Sequence, residues 1–206
     1  VFIKNYRCYI NLDSITNSLL RLFMNTPLGL TEIISKLEKQ EGKRLPPVHL
    51  WNPPLCENVE MKINSKGDWF FNNSPINRKK MVQLFSTVLR RDEEDYFLVT
   101  PVEKIKVVVE KKPFVIIDFE IKEEEKKQTI FFLTNTNDVV KLSKSNKLTV
   151  EIEKNTKEPF PYIEVRDRLE ALISRNVFYK LVDLAKEEKG RLYIESDSQT
   201  FILGET

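Results

Sequence analysis

Residues 76–97 read INRKKMVQLFSTVLRRDEEDYF, and residues 173–194 read ISRNVFYKLVDLAKEEKGRLYI. Four identical pairs stand at a constant spacing of 97 residues: Ile76 with Ile173, Arg78 with Arg175, Leu84 with Leu181, and Tyr96 with Tyr193. In both copies the pattern predicts polar, alternating strands, then an amphipathic helix, then a further strand. We therefore predict a duplicated unit, in which the cleft between the copies presents two equivalent arginines to a ligand.

The composition is that of an ordinary globular protein without a general attraction to polyanions. The 206 residues are 41% hydrophobic and 31% charged, and a chain of this length can bury a core as one large or two small domains. The net charge of +2 does not suit a surface that follows a nucleic-acid backbone, because each neutralised phosphate needs its own cation. We expect neither nucleic acid nor a membrane as a partner.

Cysteine and histidine are too scarce for a disulfide framework or a zinc site. Cys8 and Cys56 are the two cysteines, and His49 is the one histidine. So few cysteines favour a reducing, cytoplasmic location. Zinc would lack its usual ligands, and no EF-hand spacing of carboxylates is present. We predict no metal and no cofactor.

The amino-terminal part of the chain is expected to stand apart from the duplicated region. No stretch reaches the roughly 18–20 apolar residues that a membrane span needs, and the first residues lack the pattern of a signal peptide. We interpret residues 1–23 as an upstream, poorly ordered extension, with Met24 as the natural initiator. Residues 24–45 are predicted to form a linker and a helix running from Thr31 to Gln40.

The predicted first repeat covers residues 46–110 and begins with a proline-rich arm. Residues 46–54, which we call the proline-rich arm, read PPVHLWNPP. Proline fixes φ and excludes helix, so an extended conformation is expected. A hairpin around the turn at 64–67 follows. Ser74-Pro75 is typical of a helix start, and apolar residues at helical spacing extend that helix over 78–91.

The predicted second repeat covers residues 111–206. Five strand-like runs lie between the charged turn at Asp92–Asp95 and the second copy of the opening pattern. Two of them, 96–100 and 105–109, belong to the first repeat, and three belong to the second: 114–121, 129–133 and 139–142. Residues 122–127 are expected to form a charged hairpin tip. The second copy is predicted to contain strands at 148–152 and 162–165, a helical region over 168–186, a stop at Gly190, and terminal strands at 191–195 and 200–203. The fold class is therefore α+β: duplicated, mostly antiparallel β units, each with one main helix.

Arginines recur near the predicted helix starts. Arg78 and Lys79 open the first helix, Arg175 opens the second, and Arg166 lies shortly before it. A cation at a helix amino terminus opposes the helix dipole by about 0.3–1 kcal/mol. Such a placement suits an anion at the helix end, so these residues form a candidate phosphate or carboxylate site. A solvated cap or an inter-domain salt bridge is the alternative interpretation.

Further candidates lie in the arm and at strand ends. His49 and Trp51 could form a stacking platform for a base or another planar ring, but the favoured interpretation is structural, with Trp51 packed as a plug and His49 bonded to a backbone group. Thr100, Glu103, Lys104 and Asn135 follow predicted strands, where ligand contacts and ordinary turns both occur.

Catalytic motifs are missing from the sequence. The five glycines form neither GxGxxG nor a P-loop, and GxSxG, HExxH and CxxC do not occur. Acidic residues fall in charge runs instead of apolar pockets that would tune their pKa values. A hydrolase using His49 with Glu103 is the least favoured hypothesis, and a non-enzymatic role is favoured over an enzymatic one.

Five segments resemble a known family: PPVHLWNPP, INRKKMVQLFSTVLRR, DYFLVTPVEK, FFLTN and PYIEVRDRLEALISRNVFYKLV. They are similar to the proteobacterial domain-of-unknown-function family 1285, from about Pro46 to Leu203. The resemblance implies a duplicated core, a carboxy-terminal half loosely like pleckstrin-homology folds, and a pocket between the halves for a nucleotide-like ligand with a role in signalling. It implies no established activity. The positions that match its motifs are His49, Trp51, Arg78, Lys79, Thr100, Glu103, Lys104, Asn135, Arg166 and Arg175.

Two functions follow as hypotheses. The first is a cytoplasmic, non-enzymatic sensing module that binds a small anionic ligand between the repeats, with Arg78, Lys79, Arg166 and Arg175 supplying charge. His49 and Trp51 would form one wall. The second is a protein-interaction adaptor that binds through the proline-rich arm and exposed strand edges.

Overall fold

The computed structural model describes residues 45–124, 127–154 and 156–205. Within these ranges the helices are α1 (Lys79–Thr87) and α2 (Arg175–Asp183), and a 3-10 turn covers Val48–Leu50. The strands are β1 (Leu55–Ile63), β2 (Trp69–Phe71), β3 (Ser74–Pro75), β4 (Leu89–Asp92), β5 (Asp95–Val99), β6 (Lys104–Val109), β7 (Phe114–Glu124), β8 (Lys127–Thr134), β9 (Val139–Lys141), β10 (Leu148–Ile152), β11 (Pro159–Arg166), β12 (Leu169–Ile173), β13 (Lys186–Glu188), β14 (Arg191–Ser196) and β15 (Gln199–Glu205). The expected extension at 1–23 and the expected helix from Thr31 to Gln40 lie outside the described residues.

Within the described ranges the protein is mostly β with two helices, in a two-domain duplicated arrangement with curled sheets. The first sheet has the order β3-β2-β1-β6-β5-β4, the second β10-β11-β12-β7-β8-β9, and the third β13-β14-β15. Strands β7 and β12 pair in parallel, whereas the hairpins pair antiparallel. The expected likeness of the carboxy-terminal half to pleckstrin-homology folds is not confirmed.

The described residues divide into two compact units. The first unit comprises 45–62 and 69–108, and the second comprises 63–68 and 109–205. The turn between β1 and β2 therefore belongs to the second unit, although most of both strands belongs to the first.

Each unit builds its core around one helix. In the first unit α1 buries Leu84 and Phe85, and the Phe85 ring lies 6.1 Å from the ring of Trp69, which is 1% exposed. In the second unit α2 buries Val177, Phe178 and Leu181. Both helices are too short to be stable in isolation, so this burial of one apolar face holds them.

The duplication shows in the order of elements. Three strands precede each helix and three follow it, with β1–β3 and β4–β6 around α1, and β10–β12 and β13–β15 around α2. In the first repeat β1 and β6 are neighbours in one sheet, whereas their counterparts β10 and β15 belong to different sheets. The additional strands β7–β9 complete the second sheet. Arg78 is at the N-cap position of α1, whereas Arg175 is the first residue within α2. The two arginines therefore differ by one position relative to the start of their helices.

The hairpins predicted by alternation are confirmed. The strands at 59–63 and 68–71, the five central runs, and the strand pairs at 148–165 and 191–203 all occur. The charged tip at 122–127 is longer in β structure than expected, because β7 continues to Glu124 and β8 begins at Lys127.

The helix start expected at Ser74-Pro75 is wrong. Asn72 and Asn73 have φ values of 45° and 63°, which is the left-handed geometry of a two-residue hairpin turn. The chain therefore reverses, and Phe71 and Phe70 pair with Ser74 and Pro75. Proline is tolerated there because β3 is an edge strand.

The first helix is also shorter than the predicted 78–91. The hydroxyls of Ser86 and Thr87 donate to the carbonyls of Gln83 and Leu84, both at 2.7 Å, in the back-bonding that competes with helix continuation. Leu89 then enters β4 opposite Leu98. Pairing in the sheet leaves Leu89 only 3% exposed, so tertiary burial overrides local helix propensity.

The helical region expected over 168–186 is wrong in its first and last parts. Asp167 and Arg168 have φ values of 45° and 62° and turn the chain into β12. Leu169, Ala171 and Ile173 are buried in strand alternation, although leucine, glutamate and alanine favour helix. Gly190, at φ 73°, does not end α2: it lies in the turn between β13 and β14.

The proline-rich arm is not extended throughout. Its 3-10 turn uses the carbonyls of Pro46, Pro47 and Val48 as acceptors for the amides of Val48, Leu50 and Trp51. Proline lacks an amide donor but keeps its carbonyl, so prolines at the start of a turn are compatible with it.

Gly67→Ala should destabilise the protein by about 1–3 kcal/mol in urea unfolding. Gly67 has φ +82°, and an added Cβ would lie 2.5 Å from Asn135 Nδ2 and 2.9 Å from Val115 Cγ2. Gly204→Ala is the matched control, because no atom lies within 4 Å of its Cβ position, and it should change stability by less than about 0.5 kcal/mol. Equal unfolding midpoints for the two variants would contradict this account of the turn.

Candidate functional site

A guanidinium on β4 joins the proline-rich arm to the first sheet. Arg90 Nη1 donates to the carbonyl oxygens of Val48 at 2.7 Å and Trp51 at 2.6 Å. Arg90 Nε and Nη2 donate to the two carboxylate oxygens of Asp92 at 2.7 and 2.8 Å. Such a bidentate pair fixes the plane of the guanidinium, so the direction of the two bonds to the arm is fixed as well.

Asp92 serves two cations. Lys104 Nζ lies 3.4 Å from Asp92 Oδ2 and 4.4 Å from the centre of the Phe97 ring. The hydrogen bond from Arg90 is the largest cause that lowers the pKa of Asp92, and the Lys104 ammonium lowers it further. Burial opposes the shift without reversing it, so the carboxylate stays charged and this cluster is held together electrostatically.

Thr100 and Glu103 form the turn that leads into β6. The Thr100 amide and hydroxyl donate to the Glu103 carbonyl at 2.9 and 3.1 Å, and the Glu103 amide donates back to the hydroxyl at 3.1 Å. These bonds give Thr100 a structural role. Burial raises the pKa of the Glu103 carboxyl.

The two arm residues singled out in the sequence differ in exposure. His49 is exposed and Trp51 is half-buried. Within the described parts of the chain, no hydrogen bond joins His49 to Glu103. The structure therefore gives the hypothesis of a hydrolase using these two residues no geometric support.

Arg78 and Lys79 lie at the amino terminus of α1, and both are exposed. The helix follows β3 at one edge of the first sheet and leads into β4 at the other edge. The proline-rich arm is bound to Arg90 on β4. Arg78 thus follows the strand at one edge of this sheet, and the arm is bonded to the strand at the other edge. That His49 and Trp51 form one wall of a site with Arg78 and Lys79 stays a prediction.

Asn135 has a structural role in the second unit. Its Nδ2 donates to the Gly67 carbonyl at 3.0 Å, and its Oδ1 accepts from the Val115 amide at 3.1 Å. These bonds hold the 64–67 turn against β7.

Arg166 and Arg175 each have a carboxylate partner in the second unit. Arg166 Nη1 lies 3.0 Å from Asp138 Oδ2, and its guanidinium carbon lies 5.1 Å from the centre of the Phe114 ring. Arg175 Nη2 lies 2.5 Å from Glu158 Oε2, and both of these side chains are more than half exposed. Their charges are therefore largely compensated by the protein itself.

The sequence prediction does not include Arg90 and Asp92 among the candidate site residues. The expected helix 78–91 included Arg90, which would have placed its side chain on a solvated helix end. The usable signal was the spacing Arg90-x-Asp92 beside a charged turn, because residues two apart on a strand share a face.

No three His, Cys, Asp or Glu side chains cluster as metal ligands within residues 45–124, 127–154 and 156–205. None of the helices in those ranges has the length and apolarity needed to cross a bilayer.

The family resemblance is confirmed. Residues 46–112 match the N-terminal domain of the family described as "Domain of unknown function (DUF1285)", and residues 113–203 match the C-terminal domain of "Protein of unknown function (DUF1285)". The chain belongs to the DUF1285 family.

Two solved structures of the family are similar to this chain. A DUF1285 family protein from Silicibacter pomeroyi DSS-3 is 38% identical, with a TM-score of 0.73, over 87% of this chain and 97% of that chain. A second, from Shewanella baltica OS155, is 25% identical, with a TM-score of 0.50, over 62% of this chain and 94% of that chain. No curated protein matches the chain.

Asp92→Asn should flatten the loss of stability in acid. Because the pKa of Asp92 is lowered from 3.8 in the folded state, its ion pairs stabilise the fold above that value, and this contribution is lost as the pH falls through the lower, folded pKa. The wild type should exceed the variant in urea midpoint at neutral pH, and the difference should shrink between about pH 5 and about pH 2.

Asp183→Asn is the control for this titration. Asp183 is exposed, and it has no hydrogen-bond or ion-pair partner in the described ranges. Its variant should follow the wild-type pH dependence. A difference between wild type and Asp92→Asn that is constant across the acid range would show that the carboxylate charge does not stabilise the cluster.

Proposed function

We propose that the protein is a non-enzymatic sensing module that binds a small anionic, nucleotide-like ligand, with Arg78 and Lys79 holding the ligand's charge. The observation that carries the proposal is the uncompensated positive charge at the amino terminus of α1. Arg78, Lys79 and Lys80 follow one another there, and all three are exposed. No acidic residue lies in the first turn, and no side chain caps the helix.

The helix end adds its own positive potential. The first amides of a helix have no acceptor within it, and the aligned peptide dipoles are equivalent to roughly half a positive charge at this end. The Met81 and Val82 amides bond to the Arg78 carbonyl, whereas the amides of Lys79 and Lys80 have no acceptor among the described residues. An anion placed here would meet amide donors and cationic side chains together.

The second repeat supports this interpretation by contrast. Ser174 caps α2 without a side-chain hydrogen bond, and the first turn of α2 also lacks an acidic residue. However, Glu158 supplies a carboxylate to Arg175. The chain thus neutralises the cation at one helix start, and none of its described carboxylates pairs with the cations at the other.

Arg78→Ala combined with Lys79→Ala should abolish stabilisation by anions. A ligand at a hundredfold excess over its dissociation constant stabilises the wild type by about 2.7 kcal/mol, so nucleotides and inorganic phosphate should raise its Tm against chloride of equal ionic strength. The unliganded double variant should be equally or slightly more stable, by about 0.3–1 kcal/mol per charge, because cations that oppose the helix dipole are removed.

Arg175→Ala is the matched control for the ligand experiment. It removes a cation from the other helix start, where Glu158 already provides the counter-charge, and should leave the anion-induced rise in Tm intact. The proposal fails if no anion raises the Tm of the wild type, or if the double variant keeps the full rise. An unfolded double variant would instead assign the two side chains a structural role.

A second candidate function is the protein-interaction adaptor. Leu50, in the proline-rich arm, is 72% exposed, and Val102, in the turn before β6, is 76% exposed. Single exposed apolar residues are common on surfaces, but these two both belong to the first unit. Partner binding would remove them from water.

Leu50→Ser and Val102→Ser should weaken the complex if the adaptor function holds. The partner that co-purifies with the tagged full chain would be identified, purified and titrated against each variant, with an expected loss of about 1–2 kcal/mol per buried side chain. Ile152→Ser, at a residue that is 60% exposed in the second unit, is the control and should bind like the wild type. Equal affinity for all four proteins would exclude this surface.

A further inference from the structure

The attachment of the proline-rich arm to the first unit depends on few hydrogen bonds. Its own amide bonds, from Val48, Leu50 and Trp51, all end on carbonyls within the arm. Its four prolines have no amide to donate. Among the described residues, the hydrogen bonds that connect the arm to the rest of the unit therefore end on arm carbonyls.

Three carbonyls make these connections. Arg90 donates to those of Val48 and Trp51, and the Lys104 amide donates to that of Pro54. Two of the three bonds thus come from a single guanidinium. Pro54 adjoins β1, so this third bond fixes only the end of the arm. The rest of the arm is attached through the two hydrogen bonds from Arg90.

Hydrophobic burial of the arm is partial. No residue of the 3-10 turn is fully buried, and Pro46, Val48, Trp51 and Pro53 are half-buried. Segments with few buried apolar contacts open locally at a lower free energy than the core of the same domain. The arm has the properties of such a segment.

The sheet face from which Arg90 projects carries charged side chains and, between them, two buried apolar ones. Phe97 is the cross-strand partner of Arg90, so both side chains project from the same face of the first sheet. Val99 lies two residues further along β5 on that face. Phe97 is 8% exposed and Val99 is 0% exposed. Arg90 reaches two arm carbonyls from this face, and the Lys104 amide, opposite Val99, donates to the Pro54 carbonyl.

We propose that the proline-rich arm is a conformational strap, which Arg90 and Asp92 hold closed and which opens without unfolding the first unit. Asp92 orients the guanidinium through its bidentate pair, and Lys104 keeps the carboxylate in place. Opening breaks the two bonds from Arg90 and uncovers Phe97 and Val99. The closed strap thereby controls access to these two apolar side chains, independently of any ligand at α1.

Amide hydrogen exchange on the full chain tests the strap directly. In the wild type, the hydrogen-bonded amides of Leu50 and Trp51 should exchange faster than those of β5 and with a weaker dependence on urea, because local opening exposes less surface than global unfolding. Exchange of the arm together with β5, with the same urea dependence, would overturn the proposal. This measurement needs no variant, so it stands even if a substitution prevents folding.

Arg90→Ala should open the strap selectively. Arm exchange should become about tenfold faster or more, because two hydrogen bonds from a charged donor are lost, while β6 amides keep their protection. Acrylamide should quench the tryptophan fluorescence more strongly, and this reports on Trp51 because Trp69 is 1% exposed. The control is Lys106→Ala, which removes a cation on the same sheet face whose partner is Asp95.

The expected result is faster arm exchange and stronger quenching in Arg90→Ala and neither change in Lys106→Ala. Two outcomes would overturn the strap. If Arg90→Ala leaves exchange and quenching at wild-type values, Arg90 does not hold the arm. If it accelerates exchange in the arm, β5 and β6 to the same extent, the arm is an integral part of the core.

Discussion

Two-residue turns in the left-handed backbone region determine how each repeat folds. Asn72 and Asn73 join β2 to β3, and Asp167 and Arg168 join β11 to β12, all with positive φ. Turns with this geometry match the right-handed twist of paired strands, so the chain must reverse and continue as a hairpin. The residues after each turn are thereby committed to a sheet, and the following helix starts only after that strand. Each helix is nine residues long.

The sequence predicts the strands whose burial alternates locally, and it fails where a distant partner decides. The hairpins of β10 with β11 and of β14 with β15 follow from polar and apolar alternation alone. In contrast, β12 contains good helix formers. Its pairing with β7 is a long-range contact, and local propensity carries no information about such a contact. β4 is predicted as the end of a helix for a different reason: its partner β5 is the next strand in the chain, but the apolar residues from Met81 to Leu89 recur at helical spacing. The residue types indicate which positions are buried, but they do not identify which strands pair.

Whether a candidate cation is paired with a carboxylate distinguishes the candidate site residues, and their spacing in the sequence does not reveal this. The sequence identifies cations near the helix starts, yet whether a cation is available depends on carboxylates that are remote in the chain. Asp138 lies beside Arg166 and Glu158 beside Arg175, while Asp92 lies beside both Arg90 and Lys104. Each pair lowers the attraction of that cation for a further anion. Arg78 and Lys79 lack such a partner in the described ranges, and for this reason they carry the proposed function.

The two repeats share an order of elements but have diverged in the pairing of their strands and in the charge at the start of their helices. The first sheet is continuous through the neighbours β1 and β6, whereas β10 and β15 lie in different sheets. The amino terminus of α2 has Glu158 at hand, whereas that of α1 has three successive basic residues. Two equally cationic helix ends would offer an anion two similar positions. Because Glu158 neutralises one of them, the proposed anion has a single preferred position, at α1.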